Sequence, residues 1–219
     1  MMEYLANNVP DLEALGYKHD GAREGIDILG RNEWNKYYKF AFVRNPWSRL
    51  VSWYSMIVNT PGKITKLRQY LRNNSKNFEE FVINCHQGVE DEDGYQSFAQ
   101  NQLDYLTSQE GELVVDFIGR FETLEKDFDR LVDHLGIAVR GLPYITHGSK
   151  HGHYSKYYND RSREVVQKRF GKDIDYFGYK FEKSNWVHDL LNKMNYWNKN
   201  RQSESRLDYS EAKRKKNFF

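Results

Sequence analysis

The stretch Phe40–Tyr54, FAFVRNPWSRLVSWY, constrains this chain more than any other. Residues Tyr37–Val43 (YYKFAFV) are aromatic and β-branched, which predicts a buried strand. A helix has to follow at once. Asn45 suits the N-cap, and Pro46 suits the first helical position, where its missing N–H would have no partner. Leu50, Val51, Tyr54, Ile57 and Val58 then recur at helical spacing and predict one apolar face, with Asn45, Ser48, Arg49 and Ser52 on the other side. Pro61 and Gly62 end the element. A strand that runs straight into a helix places Arg44 at the strand's carboxyl end, where ligands of open α/β sheets gather. The free N–H groups and the positive dipole end of the helix point into the same space. Arg44 brings a planar, charged fork suited to phosphate, and Ser52, two turns into the helix, brings a hydroxyl. Together these parts make an anion site. On the residues alone, an arginine paired with a carboxylate and a solvated serine are the plainer readings.

The remaining pattern supports an α/β fold with a mainly parallel sheet. Residues 1–30 read as helix and loop, and residues 63–112 as mostly helical, including Phe78–Cys85 and Phe98–Leu106. Leu113–Ile118 (LVVDFI) reads as a second strand. It leads through Gly119-Arg120-Phe121 into a helix from Thr123 to Leu135, faced by Leu124, Phe128, Leu131, Val132 and Leu135 and stopped by Gly136. Residues 141–160 form a long loop rich in His, Gly, Ser, Lys and Tyr. A helix at Arg161–Phe170 and a strand-like segment at Tyr176–Phe181 follow. A length of 219 residues suits one compact domain, expected over residues 1–198, with a flexible charged tail at 199–219.

Composition narrows the function. A net charge of +2 does not mark a nucleic-acid binder. The single cysteine, Cys85, forms no intrachain disulfide and suggests no zinc site. No run approaches the roughly 20 apolar residues of a membrane span. The opening MMEYLANNVPDLEAL lacks the basic and apolar regions of a signal peptide, which points to the cytoplasm. No metal is expected.

The run Arg44-Asn45-Pro46-Trp47-Ser48-Arg49-Leu50-Val51-Ser52 resembles the 3′-phosphate-binding motif of sulfotransferases, which use 3′-phosphoadenosine 5′-phosphosulfate (PAPS) as donor. Phe117–Phe128 (FIGRFETLEKDF) is similar to the strand–helix unit that follows in that family, and Tyr154–Phe181 to its carboxyl-terminal helix and strand. The resemblance runs from about Lys18 to Phe181 and is nearest to the carbohydrate 2-O- and 4-O-sulfotransferase branch and its bacterial relatives. It implies a P-loop-type three-layer fold. It also implies transfer of a sulfuryl group from PAPS to a carbohydrate hydroxyl, leaving 3′,5′-adenosine bisphosphate.

By this resemblance Arg44 and Ser52 hold the donor's 3′-phosphate. Ser149, Lys150 and Tyr154, in the loop expected to close over the nucleotide, are further donor contacts, with Tyr158 as a neighbour. The plainer readings are a solvated lysine and core tyrosines. His19 stands about where the 2-O branch carries its catalytic histidine and is the candidate base. A surface residue ahead of a helix is its other reading, and His147, His151 and His153 are rivals. Arg120 and Glu122 read as a structural ion pair, Arg49 as a support of the Arg44 loop or a solvent-facing side chain, and Gln100 and Gln102 as possible reaches toward a sugar.

A complete member also carries a strand followed by a Lys-(small)-Gly-Thr-(Ser/Thr) loop that wraps the 5′-phosphosulfate. Nothing before Arg44 has that form, so the N-terminal strand and loop are expected to be missing. Residues 1–219 alone are therefore expected to transfer little or no sulfate. The chain would be a fragment, one partner of a complementing pair, or a degenerate relative that binds nucleotide or another protein. An exposed sheet edge, and possible homodimerisation, would follow. A nucleotide kinase would need a Walker loop and magnesium ligands, and the sequence has neither.

Overall fold

The computed structural model describes residues 20–59, 65–91, 94–137, 142 and 152–184. Helices α1 (Ala22–Leu29) and α2 (Arg31–Trp34) precede strand β1 (Phe40–Val43), and α3 (Pro46–Asn59) follows β1 at once. Helices α4 (Lys66–Asn74) and α5 (Phe78–Asn84) lead to strands β2 (Gly88–Asp91) and β3 (Gly94–Ser97). Strand β4 (Phe117–Arg120) runs through a 3₁₀ turn into α6 (Leu124–His134). Helices α7 (Asp160–Arg169) and α8 (Gly171–Phe177) complete the described part.

Strands β1 and β4 pair in parallel, in register from Phe40 with Phe117 to Val43 with Arg120. Strand alternation sends the side chains of β1 to opposite faces. Ala41 and Val43 join the main core of α3, α5, α7 and α8, while Phe40 and Phe42 pack on Phe128 and Val132 of α6. Helices thus cover both faces of a parallel pair, the α/β arrangement that the sequence predicts. Burying Phe128 completely contributes about 1.5–3 kcal/mol. Gly119 lies opposite Phe42, and a Cβ there would run into the Phe42 ring.

The N–H groups of Asp116 and Phe117 both reach the Lys39 carbonyl, at 2.8 and 3.1 Å. The odd-numbered residues of β1 therefore turn their backbone groups toward β4, and the even-numbered ones turn theirs to the opposite edge. Among the described residues no strand pairs with that edge. A hollow of about 520 Å³ runs along it, lined by Phe40–Val43, Trp34 and Leu29.

Helix α3 begins where its sequence signals place it. The Asn45 side chain accepts from the Trp47 and Ser48 N–H groups at 3.1 and 3.3 Å. Its buried stripe includes Trp47, Leu50, Val51 and Ile57, but Val58, assigned to that stripe from spacing, is 52% exposed. The helix is anchored from its first turn by Trp47, whose indole donates to the Arg163 carbonyl at 3.3 Å.

Four elements differ from the sequence reading. The strand expected at Leu113–Ile118 lies at Phe117–Arg120 instead. Upstream of it, Leu113 makes only an isolated bridge with Thr107, and Val114 is held between Leu106 and the Trp34 indole. Within the region read as mostly helical, residues 88–97 form the antiparallel pair β2–β3. Phe98–Leu106, expected as helix, holds only a 3₁₀ turn at Leu103–Leu106. Tyr176–Phe181 is not a strand: α8 occupies Gly171–Phe177 and stops at Gly178, whose φ of 65° glycine adopts freely. Ile174 and Phe177, one helical turn apart, both enter the core, and this packing overrides the strand propensity of the aromatic residues. The segment expected as a flexible tail, 199–219, lies outside the described residues.

Candidate functional site

Arg44 leaves the carboxyl end of β1, and three neighbours fix it. Its Nε donates to Ser48 Oγ at 3.0 Å, and its guanidinium lies 4.1 Å from the centre of the Phe121 ring. Its backbone is clasped by one amide. The Arg44 N–H donates to Gln102 Oε1 at 2.8 Å, and Gln102 Nε2 donates back to the Arg44 carbonyl at 2.7 Å. Burial pulls the guanidinium down to about 10, against the opposing pull of Glu122 and Tyr179, so the charge is complete at neutral pH.

Ser48 and Ser52 are four residues apart and share one stripe of α3. The side chain that Arg44 contacts therefore lies one turn before Ser52. Ser52 is half-buried, and its hydroxyl makes no hydrogen bond among the described residues. The first turn of α3 carries no acidic side chain, so nothing on the helix itself neutralises its positive end.

The carboxyl end of β4 comes to the same place. Glu122 accepts the Asn45 N–H at 2.8 Å and the Tyr179 hydroxyl at 3.4 Å. The expected pairing of Arg120 with Glu122 does not form. Arg120 donates to the Phe177 carbonyl at 2.6 Å and lies over the Tyr179 ring at 5.1 Å, which leaves Glu122 to the elbow between β1 and α3.

Arg49 turns inward. It donates to the Gln100 carbonyl at 3.0 Å and lies over the Trp53 ring at 4.3 Å. Burial pulls its guanidinium down to about 10 while Asp173 and Tyr105 oppose the shift. Of its two sequence readings, exposure to solvent does not hold, and its side-chain contacts are with Gln100, Trp53 and Phe170. Gln102 is spent on the Arg44 backbone, which corrects its reading as a reach toward a sugar.

Tyr154 is 9% exposed, its hydroxyl accepts the Glu182 N–H at 2.8 Å, and its ring meets Phe181. Burial raises its hydroxyl pKa, and both Asn45 and Glu122 act on the same group, which places Tyr154 beside the elbow. Tyr158 donates to the Trp47 carbonyl at 2.9 Å. The His153 ring takes the Ser155 N–H at 3.3 Å on Nδ1 and caps a 3₁₀ turn. His19, His147, Ser149, Lys150 and His151 lie outside the described residues. The structure thus sets Arg44 against Ser48 in the first turn of α3, with Ser52 one turn further along the helix and Tyr154 beside the start of it. It adds Phe121, whose only sequence signal is its place just after a strand, and gives Gln102 a role on the Arg44 backbone in place of the expected reach toward a sugar.

The model of the Sulfotransferase family matches residues 23–180, which span β1, α3, β4 and most of the carboxyl-terminal segment. This chain belongs to the sulfotransferase family. The match contains Arg44, Ser52 and Tyr154, together with the clasp formed by Gln102. Comparison with curated proteins and with solved structures gives no significant match. Among the described residues no helix is long and apolar enough to cross a membrane, and no group of three or more acidic, His or Cys side chains is placed to hold a metal.

Proposed function

We propose that this member of the sulfotransferase family holds the 3′-phosphate of PAPS between the Arg44 guanidinium and the Ser52 hydroxyl. The observation that carries this reading is the pre-set arginine: charged, pinned against Ser48, and placed at the positive end of α3, with an unengaged hydroxyl one turn beyond Ser48. Arg44 supplies a planar fork to two phosphate oxygens, Ser52 donates to a third, and the helix dipole favours the same charge. The Phe121 ring backs the Arg44 guanidinium.

The reaction of such a site moves SO₃ from the phosphosulfate to an acceptor oxygen. The sulfur–oxygen bond to phosphate breaks, a bond to the acceptor forms, and the acceptor proton passes to a base. We assign the acceptor to the carbohydrate hydroxyls and the base to His19, in its neutral form, on the family resemblance. Ser149 and Lys150 are assigned to the donor's phosphates on the same ground. Residues 1–219 contain no Lys-(small)-Gly-Thr segment to neutralise the leaving oxygen, so these residues alone should bind the donor's product without rapid transfer.

Calorimetry with 3′,5′-adenosine bisphosphate tests the reading. Binding that Arg44→Ala abolishes supports it. An absence of binding by the unaltered chain refutes it and favours an interaction protein descended from the family. Robust transfer of labelled sulfate to a saccharide would overturn the expectation of low activity.

A further inference from the structure

We infer that Gln102 and Asp173 are positioning residues for Arg44, so that the docking of α8 sets the aim of the phosphate-binding arginine; this rests on the reading of Arg44 given above. Arg44 sits just past the last residue of β1, at the edge that no strand among the described residues pairs with. By strand alternation its N–H and C=O both face that edge. Gln102 takes both, at 2.8 and 2.7 Å, and so fills the donor and acceptor that a neighbouring strand would otherwise engage. A single amide therefore fixes the orientation of the Arg44 peptide groups and, through them, the direction in which the side chain leaves the sheet.

Gln102 is itself held. Asp173, with no exposed surface, accepts the Gln102 backbone N–H at 2.8 Å and its side-chain Nε2 at 3.2 Å through one oxygen. The other oxygen accepts the Leu103 N–H at 2.9 Å. The bond to Nε2 orients the amide: with Nε2 turned to Asp173 and the Arg44 carbonyl, Oε1 must face the Arg44 N–H. Asp173 is fixed in turn, since its N–H donates to Asn101 Oδ1 at 3.3 Å and the Asn101 amide donates to the Arg169 carbonyl at 3.2 Å. The chain of contacts runs from the α7–α8 corner through Asp173 and Gln102 to Arg44. None of these links touches the face of Arg44 that carries Ser48 and Phe121, so the relay acts from behind the site.

The test compares two nucleotides in two backgrounds on the full chain. 3′,5′-Adenosine bisphosphate carries the 3′-phosphate and adenosine 5′-monophosphate lacks it. Gln102→Leu should weaken bisphosphate binding about tenfold while changing monophosphate binding less than about twofold. In an Arg44→Ala background the same substitution should have no further effect on bisphosphate binding. Equal losses for both nucleotides, or an undiminished loss without Arg44, would overturn the relay. Gln102→Asn keeps the amide but is one methylene short; it serves if the leucine variant does not fold, with the same outcomes expected. A nucleotide-free arm separates this claim from the phosphate reading. The ¹⁵N-resolved Nε–H signal of Arg44 should be distinct in the unaltered chain and merge with solvent-averaged arginines in the Gln102 variant. If the unaltered chain binds neither nucleotide, the phosphate reading falls and the Nε–H signal alone decides the relay, an unchanged signal overturning it.

Discussion

Replacing Asp173 by asparagine keeps the size of the side chain and removes its charge and one acceptor. The carboxylate has no exposed surface and accepts three N–H groups: Gln102 N at 2.8 Å, Leu103 N at 2.9 Å and Gln102 Nε2 at 3.2 Å. In either orientation of the new amide, its NH₂ group faces a backbone N–H that it cannot accept. The loss includes at least one hydrogen bond to a charged acceptor, worth about 1.5–3 kcal/mol, and the cost of a buried donor left without a partner, about 1–3 kcal/mol. The buried Arg49 also loses the negative charge that offsets its burial. The sum is a destabilisation of about 2.5–6 kcal/mol, a large share of the 5–15 kcal/mol typical of a domain. Urea unfolding followed by far-ultraviolet circular dichroism should show a lower midpoint with an unchanged slope. A variant within about 0.5 kcal/mol of the unaltered chain would refute the claim that this carboxylate fastens α8 to the Gln102 segment.

Three further outcomes follow from the same geometry. Glu122→Gln keeps an acceptor for the Asn45 N–H but removes a negative charge that acts on Arg44, so calorimetry should find bisphosphate bound about threefold more tightly; weaker binding would contradict this. Burial alone would raise the Asp127 pKa, but bonds from Thr123, the Arg120 N–H and Arg130 together outweigh it and hold the group below its ordinary value. A depressed carboxyl contributes stability above its unfolded pKa, about 3.9, and loses that contribution as pH falls through the folded value. Asp127→Asn should therefore flatten the loss of stability below about pH 4, and an unchanged acid limb would exclude the assignment. Gly119→Ala should cost about 1–3 kcal/mol in chemical unfolding, because the new methyl meets the Phe42 ring across the strand pair; a neutral result would mean that the ring moves aside freely.

The parts of the fold that the sequence revealed are those set by local chemistry. Asn45 and Pro46 announce the start of α3, because a capping side chain and a proline have few other places in a helix. Phe128, Leu131 and Val132 announce α6 by their spacing. The parts that were not legible depend on distant partners. The strand β4 is shifted because Val114 is claimed by Leu106 and Trp34, which no periodicity of LVVDFI reveals. Asp173, Ile174 and Phe177 make α8 helical through contacts with the Gln102 segment and the core, against the strand propensity of its aromatic residues. The site divides in the same way. Arg44 and Ser52 stand out in the motif, whereas Gln102, 58 residues from Arg44, is an ordinary polar side chain until the fold sets it against the arginine backbone. Glu122 has no sequence feature that marks it for Asn45 rather than for Arg120.

A crystal of the full chain grown with 3′,5′-adenosine bisphosphate tests the central assignment most directly. The account predicts oxygens of the 3′-phosphate within about 3.2 Å of both the Arg44 guanidinium and Ser52 Oγ. A nucleotide whose 3′-phosphate is bound elsewhere, with Arg44 still turned to Ser48 and Phe121 alone, would contradict it.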